Sequence, residues 1–208
     1  MDATIHIVDD DVDTREALAW LIDSRGHTTT TWPSGESFFA LVRQQAKAAP
    51  WPVAVVLMDI RMEPLSGLAT FELLKEVGCP WPVIFLTGHA DVSLAVAAVK
   101  GGAWDFLEKP FQNNALVDRI EAALADAASI VGENAEATKF RRAFQQLSQR
   151  EREVLDELLL GHYNKVIAEH LSITPRTVEF HRANIFQKMG VSSAVELAHK
   201  RGRYRPDR

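Results

Sequence analysis

The chain is short of cysteine and of long apolar runs, and each shortage closes off a class of protein. Cys79 is the one cysteine in 208 residues, which excludes an internal disulfide framework and a cysteine-based zinc cluster and fits a reducing cytosol. Standing before Pro80, with no histidine or second cysteine close by, Cys79 reads as a small packing residue rather than a reactive thiol. The longest apolar stretches, such as Val53 to Met58, are about a third of the ~20 residues that a membrane span needs. The opening MDATIHIVDD has no basic segment and no apolar one, so no secretory signal is expected. The expectation is a soluble, cytoplasmic protein without membrane contact.

Basic side chains are scarce at the front of the chain. Residues 1–130 hold 9 basic and 18 acidic side chains, while residues 131–208 hold 14 and 10, so the net charge of −5 conceals −9 in front and +4 behind. That asymmetry suggests two domains, with a polyanion as partner for the basic one. At 47% apolar and 25% charged, the composition is that of a folded chain.

The first 130 residues alternate short apolar runs with helical periodicity. Ile5 to Val8, Val53 to Met58, Val83 to Leu86 and Trp104 to Leu107 read as strands, with a weaker one at Thr28 to Trp32. Between them, apolar positions recur at three and four, as in Ala17, Leu18, Leu21 and Ile22 before Gly26. Strand then helix, repeated five times, predicts a doubly wound five-stranded parallel sheet with helices on both faces. Working residues of such sheets gather past the carboxyl ends of the strands. Those ends carry Asp9, Asp10 and Asp11, then Asp59, Thr87 and Lys109. Clustered carboxylates repel unless a cation joins them, and oxygen donors without histidine or cysteine suit Mg²⁺ or Mn²⁺. An aspartate can act as nucleophile toward phosphorus, and a nearby ammonium can neutralise the transferring group. Asp9, Asp10, Asp59, Thr87 and Lys109 therefore read as a phosphoryl-accepting site; the alternative is that Asp11 or Asp13 caps the helix that follows and Lys109 pairs with Glu108 or another surface acid.

Residues 126–146 lose strand character and read as a helical or flexible linker. From Leu147 the pattern is all helical, predicting a four-helix domain over 147–208. Ser148 with Glu151 forms a capping box, Gly161 ends the first helix, and Asn164 is placed to cap a second. Thr174 before Pro175 starts a third helix and Ser193 with Glu196 a fourth. The second and third helices stand so close that they predict a helix-turn-helix.

The front-half motifs VDDD, LMDIRMEPLSG, FLTGHAD and DFLEKPF resemble, in order, the receiver domain of two-component response regulators over about residues 4–125. The resemblance implies a domain over 1–125 with strand order 2-1-3-4-5. It also implies that Asp59 takes a phosphoryl group from the phosphohistidine of a sensor histidine kinase. Asp10, Asp59 and the backbone carbonyl of Arg61 would hold the metal, with Asp9 acting through water. Lys109 would contact the phosphoryl group, while Thr87 and Phe106 would form the switch. Glu63 stands where the family usually has proline, with Pro64 one place later, and Arg61 and His89 are placed to flank an attacking water. Residues LSQREREVLDELLLGHYNKVIAEHLSITPRTVEFHRANIFQKMGVSS resemble the LuxR-type DNA-binding domain, so the whole chain is similar to the NarL/FixJ class and leans toward FixJ.

On a 3.6-residue period Val178, Ile185 and Met189, with His181 among them, face inward on the third helix of this domain. The opposite face presents Arg176, Glu179, Phe180, Ala183 and Gln187 for base edges in the major groove. Lys165, Thr177, Arg182 and Lys188 are the phosphate candidates. The reading is a transcriptional response regulator that dimerises on phosphorylation and binds promoter DNA, with RNA polymerase as a further partner. The dimer surface expected by resemblance includes Val96, Val99, Lys100 and Trp104. It is not read as an enzyme but as a stoichiometric phosphoacceptor with slow self-dephosphorylation. The competing reading is a phosphate-ester hydrolase, for which Glu63 is the only extra acid.

Overall fold

Successive side chains of a strand point to opposite faces, and in the computed structural model, which describes residues 3–48, 50–88 and 92–204, this alternation builds two cores. Ile5, Ile7, Val55, Leu57, Ile84 and Leu86 enter one; Val8, Ala54, Val56, Met58, Val83 and Phe85 enter the other. Apolar residues at consecutive positions are thus both used, which is why these strands read as unbroken runs.

The chain divides into two units, residues 1–132 and 133–208. In the first, the strands are β1 (Thr4–Val8), β2 (Thr28–Trp32), β3 (Ala54–Asp59), β4 (Val83–Thr87) and β5 (Asp105–Glu108). They form one all-parallel sheet in the order β2-β1-β3-β4-β5. Helix α1 (Val12–Asp23) supplies Leu18, Leu21 and Ile22 to one face, and the long helix α5 (Asn113–Gln145) supplies Leu116, Ile120 and Ala123 to that same face. The other face takes Phe38 and Val42 from α2 (Gly35–Ala48), Phe71 and Leu74 from α3 (Gly67–Glu76) and Ala98 from α4 (Val92–Lys100). Cys79 packs at the edge of this second core, and burial pushes its thiol up to about 12, as suits an inert packing residue.

The second unit holds α6 (Gln149–Leu159), α7 (Asn164–His170), α8 (Pro175–Met189) and α9 (Ala194–Arg203). Val154, Leu155, Leu158, Ile167, Val178, Ile185, Met189 and Leu197 make its core, joined by Phe140 from the last turns of α5. The helix starts follow their side chains: Ser148 and Glu151 form a reciprocal capping box, Thr174 caps α8 with proline in its first turn, and Ser193 caps α9. Asn164 corrects its expected role. It is the first residue of α7, whose N-cap Tyr163 makes no side-chain bond, and the Asn164 side-chain oxygen Oδ1 accepts from Arg182 at 2.7 Å instead of capping. The turn between α7 and α8 places Ser172 at a φ of 53°.

The stretch 126–146, expected as a helical or flexible linker, lies in α5 as far as Gln145. Its alanine-rich residues favour helix, and Gly132 alone is a weak breaker.

Candidate functional site

Parallel strands bring their carboxyl ends to one edge, and there Asp9, Asp59, Thr87 and Lys109 stand at the ends of β1, β3, β4 and β5. Lys109 joins two of them. Its ammonium donates to Asp59 Oδ1 at 2.7 Å and to Asp9 Oδ2 at 3.0 Å. Asp59 Oδ2 accepts the Arg61 amide at 2.6 Å and Asp9 Oδ1 accepts the Asp11 amide at 2.9 Å. Arg15, which the sequence reading passed over, donates to the Asp9 carbonyl at 2.6 Å. The signal for it was an arginine one turn into the helix that follows the aspartates.

Asp11 is separated from this group by its own task. Its carboxylate caps α1, accepting the Thr14 amide at 3.2 Å and the Thr14 hydroxyl at 2.5 Å. Asp10 is exposed beside Asp9, which is buried.

One ammonium thus faces two carboxylates, both shielded from water. Burial pushes the Asp59 carboxyl above its usual range, aided by the Asp9 charge and opposed by Lys109 and the Arg61 amide. Burial also works against the Lys109 ammonium, but the Asp59 and Asp9 carboxylates outweigh it and hold Lys109 above its ordinary value. An oxygen-only donor set with surplus negative charge, including the exposed Asp10 and the Arg61 carbonyl, fits a hard divalent cation.

Thr87 is fully buried, and its hydroxyl donates to the Gly88 carbonyl at 3.1 Å. Phe106 is partly buried and packs against the core on the α4 side of the sheet. Val96 and Lys100 are exposed, Val99 is half-buried against the core, and the Trp104 indole donates to Asp126 on α5 at 2.8 Å. Glu63 is exposed in the loop before α3. His89 lies outside the described residues.

In the second unit α8 presents Arg176, Glu179, Phe180, Ala183 and Gln187 to solvent, Phe180 with 64% of its surface exposed, while Val178, Ile185 and Met189 are buried beneath. His181 is half-buried and its Nδ1 has no hydrogen-bond partner. The four phosphate candidates differ. Lys165 is exposed, whereas Thr177 engages Thr174, and Arg182 holds Asn164 and lies over the Phe186 ring. Lys188 donates to both oxygens of the buried Glu151, at 2.7 and 2.9 Å.

Residues 5–121 match the response regulator receiver domain and residues 145–200 match the luxR family of bacterial regulatory proteins. The chain is 43% identical over 203 residues to the C4-dicarboxylate transport transcriptional regulatory protein DctR of Rhodobacter capsulatus, covering 95% of this chain and 98% of that protein. It is 38% identical over 196 residues to the transcriptional regulatory protein FixJ of Rhizobium meliloti, covering 94% and 93%. Among solved structures, the response regulator StyR aligns with a TM-score of 0.85 and 34% identity over 98% of this chain and 100% of its own.

Proposed function

The chain belongs to the two-component response regulators that join a receiver domain to a LuxR-type DNA-binding domain, and on that premise we propose that Asp59 is its phosphoacceptor. It is a transcriptional regulator of a family that is not typically enzymatic, and its two domains imply a sensor kinase and promoter DNA as partners. We read the two domains as residues 1–125 and 147–208, joined by 126–146. No described helix is long and apolar enough to cross a membrane, and a cytoplasmic location suits the partners.

The observation that carries the reading is the Lys109 ammonium shared between Asp59 and Asp9 at the carboxyl edge of the sheet. An Asp59 carboxylate oxygen attacks the phosphorus of a phosphohistidine; the new O–P bond forms as the N–P bond breaks, and the imidazole nitrogen leaves with the electron pair. Lys109 is placed to follow the charge onto the phosphoryl oxygens, since it already bonds the attacking carboxylate. Asp9, Asp10, Asp59 and the Arg61 carbonyl would hold Mg²⁺, or Mn²⁺ in its place, which offsets charge on the phosphoryl group when bound. Thr87 must turn its hydroxyl from Gly88 to meet the new phosphoryl oxygen, and Phe106 is the neighbour that would move with it. Moving a 1:99 population to 99:1 takes about 5.5 kcal/mol of differential stabilisation. The phosphoryl group must therefore be read by Thr87, not merely held. The acceptor acts once per phosphoryl group received, with slow self-dephosphorylation.

The dimer surface we assign includes Val96, Val99, Lys100 and Trp104. In the basic domain, Arg176 is the candidate for guanine, Glu179 for cytosine and Phe180 for a thymine methyl, with Ala183 and Gln187 on the same face. Lys165 is free to meet phosphate, Thr177 and Arg182 must first release their own partners, and Lys188 must leave Glu151. RNA polymerase is a further partner of the DNA-bound form.

A gel shift with promoter DNA tests the whole chain of events. With Mg²⁺ and a small-molecule phosphoryl donor, wild type is expected to bind more tightly and as a dimer, and Asp59→Ala to ignore the donor. Equal binding by both proteins with and without the donor would remove phosphorylation control.

A further inference from the structure

Helix α6 ends in a way that is common in form and unusual in content. The Gly161 amide donates to Leu158 at 3.0 Å and the His162 amide to Glu157 at 3.3 Å, with Gly161 at a φ of 81°. This is the paired-bond helix ending in which the residue after the glycine and the residue five before it are usually both apolar and touch. In this chain the two positions hold His162 and Glu157. Their side chains do meet, Glu157 Oε2 lying 2.6 Å from His162 Nδ1.

A third group arrives from α7. His170, its last residue, places Nδ1 2.9 Å from the same Glu157 oxygen. The two imidazole rings stand at 90° with centroids 5.2 Å apart, so both turn a nitrogen to one carboxylate. The ligand atoms of all three lie within 4.8 Å of one another. The Glu157 side chain is 19% exposed and those of His162 and His170 are 35% and 48% exposed, so the group opens to water. Proximity to both histidines holds the Glu157 carboxyl below its ordinary value, keeping it an anion. None of the three belongs to the acceptor site or to the exposed face of α8.

We propose that Glu157, His162 and His170 form a binding site for Zn²⁺ or a similar first-row transition ion, with the remaining position left to water. Two imidazoles and a carboxylate are a recurrent three-ligand zinc set, whereas Mg²⁺ and Ca²⁺ take oxygen. Bond lengths of about 2.0 Å set tetrahedral ligands roughly 3.3 Å apart, so the present contacts of 2.6 and 2.9 Å must open only slightly. Partly exposed side chains can do this without backbone movement. Each ring must then carry its proton on Nε2 rather than on the nitrogen aimed at Glu157. Bound there, the ion ties the end of α6 to the end of α7, next to the turn that leads into α8.

Equilibrium dialysis of the untagged full-length protein against Zn²⁺, in excess Mg²⁺, tests the site. Wild type is expected to retain one Zn²⁺ per chain more than the His162→Gln/His170→Gln double variant or Glu157→Gln. Zinc should raise the melting temperature of wild type alone. Co²⁺ should give the visible absorption of a tetrahedral nitrogen-oxygen site in wild type and not in the variants. Melting each protein free of metal checks that the variants fold, and His162→Gln alone serves if the double variant does not. Equal zinc uptake by wild type and folded variants, or a cobalt spectrum unchanged by the substitutions, would overturn the site.

Discussion

Gly67 lies so close to Asp59 that a Cβ on it would stand 2.0 Å from the Asp59 carbonyl oxygen. The Gly67 amide bonds the Ile60 carbonyl at 3.0 Å, and Ser66 caps α3 by accepting the Ala69 amide at 3.2 Å. The start of α3 is therefore built against the backbone of the proposed acceptor. Gly67→Ala is expected to lose about 1–3 kcal/mol, the usual cost of overpacking, and to accept phosphoryl groups more slowly. Urea denaturation measures the first and donor-driven phosphorylation the second. A variant as stable and as reactive as wild type would show that α3 yields freely.

The raised Asp59 carboxyl has a definite consequence for stability. A folded value above the unfolded one means that folding favours the protonated form, so ionisation destabilises above the folded value and has no effect below the unfolded one. Without divalent cations, Asp59→Asn should melt above wild type at pH 7, and the gap should close as the pH falls into the acid range. Calorimetry across that range decides it. A lower melting temperature for Asp59→Asn at pH 7 would mean that the ion pair with Lys109 outweighs burial.

His6 titrates in the opposite sense. Burial lowers it from 6.5 to about 4, and the Trp32 indole donates to its Nδ1 at 3.3 Å, which only the neutral ring can accept. Its contribution is whole above pH 6.5 and is lost as the pH falls toward 4, about 3 kcal/mol in all at 1.36 kcal/mol per unit. Phe38 and Trp81 surround the ring at 5.4 and 4.9 Å, so His6→Leu should fold and should lose less stability than wild type between pH 6.5 and 4. Parallel acid slopes for the two proteins would count against a neutral His6.

Lys188 separates stability from DNA affinity. Burial would raise the Glu151 carboxyl, yet Lys188 and Ser148 hold it below its ordinary value. Lys188→Met leaves that buried carboxylate without its cation and is expected to cost about 1–3 kcal/mol, read by denaturation of the whole chain. Arg176→Ala should do the reverse, leaving the melt unchanged and reducing affinity for a promoter by ~1–3 kcal/mol if it pairs with guanine. Loss of DNA binding by Lys188→Met at full stability would place that ammonium on phosphate.

The gathering of Asp9, Asp59, Thr87 and Lys109 at one edge was legible because parallel strands deliver their carboxyl ends together, so it needed only the strand pattern. Caps such as Ser148 and Thr174 were legible for a similar reason, since each acts within three residues. What escaped were side chains claimed from a distance. Asn164 has the right chemistry for a cap, but Arg182 takes its oxygen from another helix. Lys188 looks like any basic residue near the end of α8 until Glu151 is found beneath it. Glu157, His162 and His170 are separated by five and eight positions, and only the helix ending at Gly161 together with the packing of α7 brings them to one place.

The two-sided alternation of β3 fixes the phase of that strand up to Asp59 at its end. Ala54, Val56 and Met58 belong to one core and Val55 and Leu57 to the other, so deleting or inserting one residue would exchange the faces of the residues that follow it in the strand. Asp59 would then turn from Lys109 to the opposite side. Substitution can tune the proposed acceptor, whereas a change of length within the six residues Ala54–Asp59 would carry Asp59 away from Lys109 and turn both cores out of register at once.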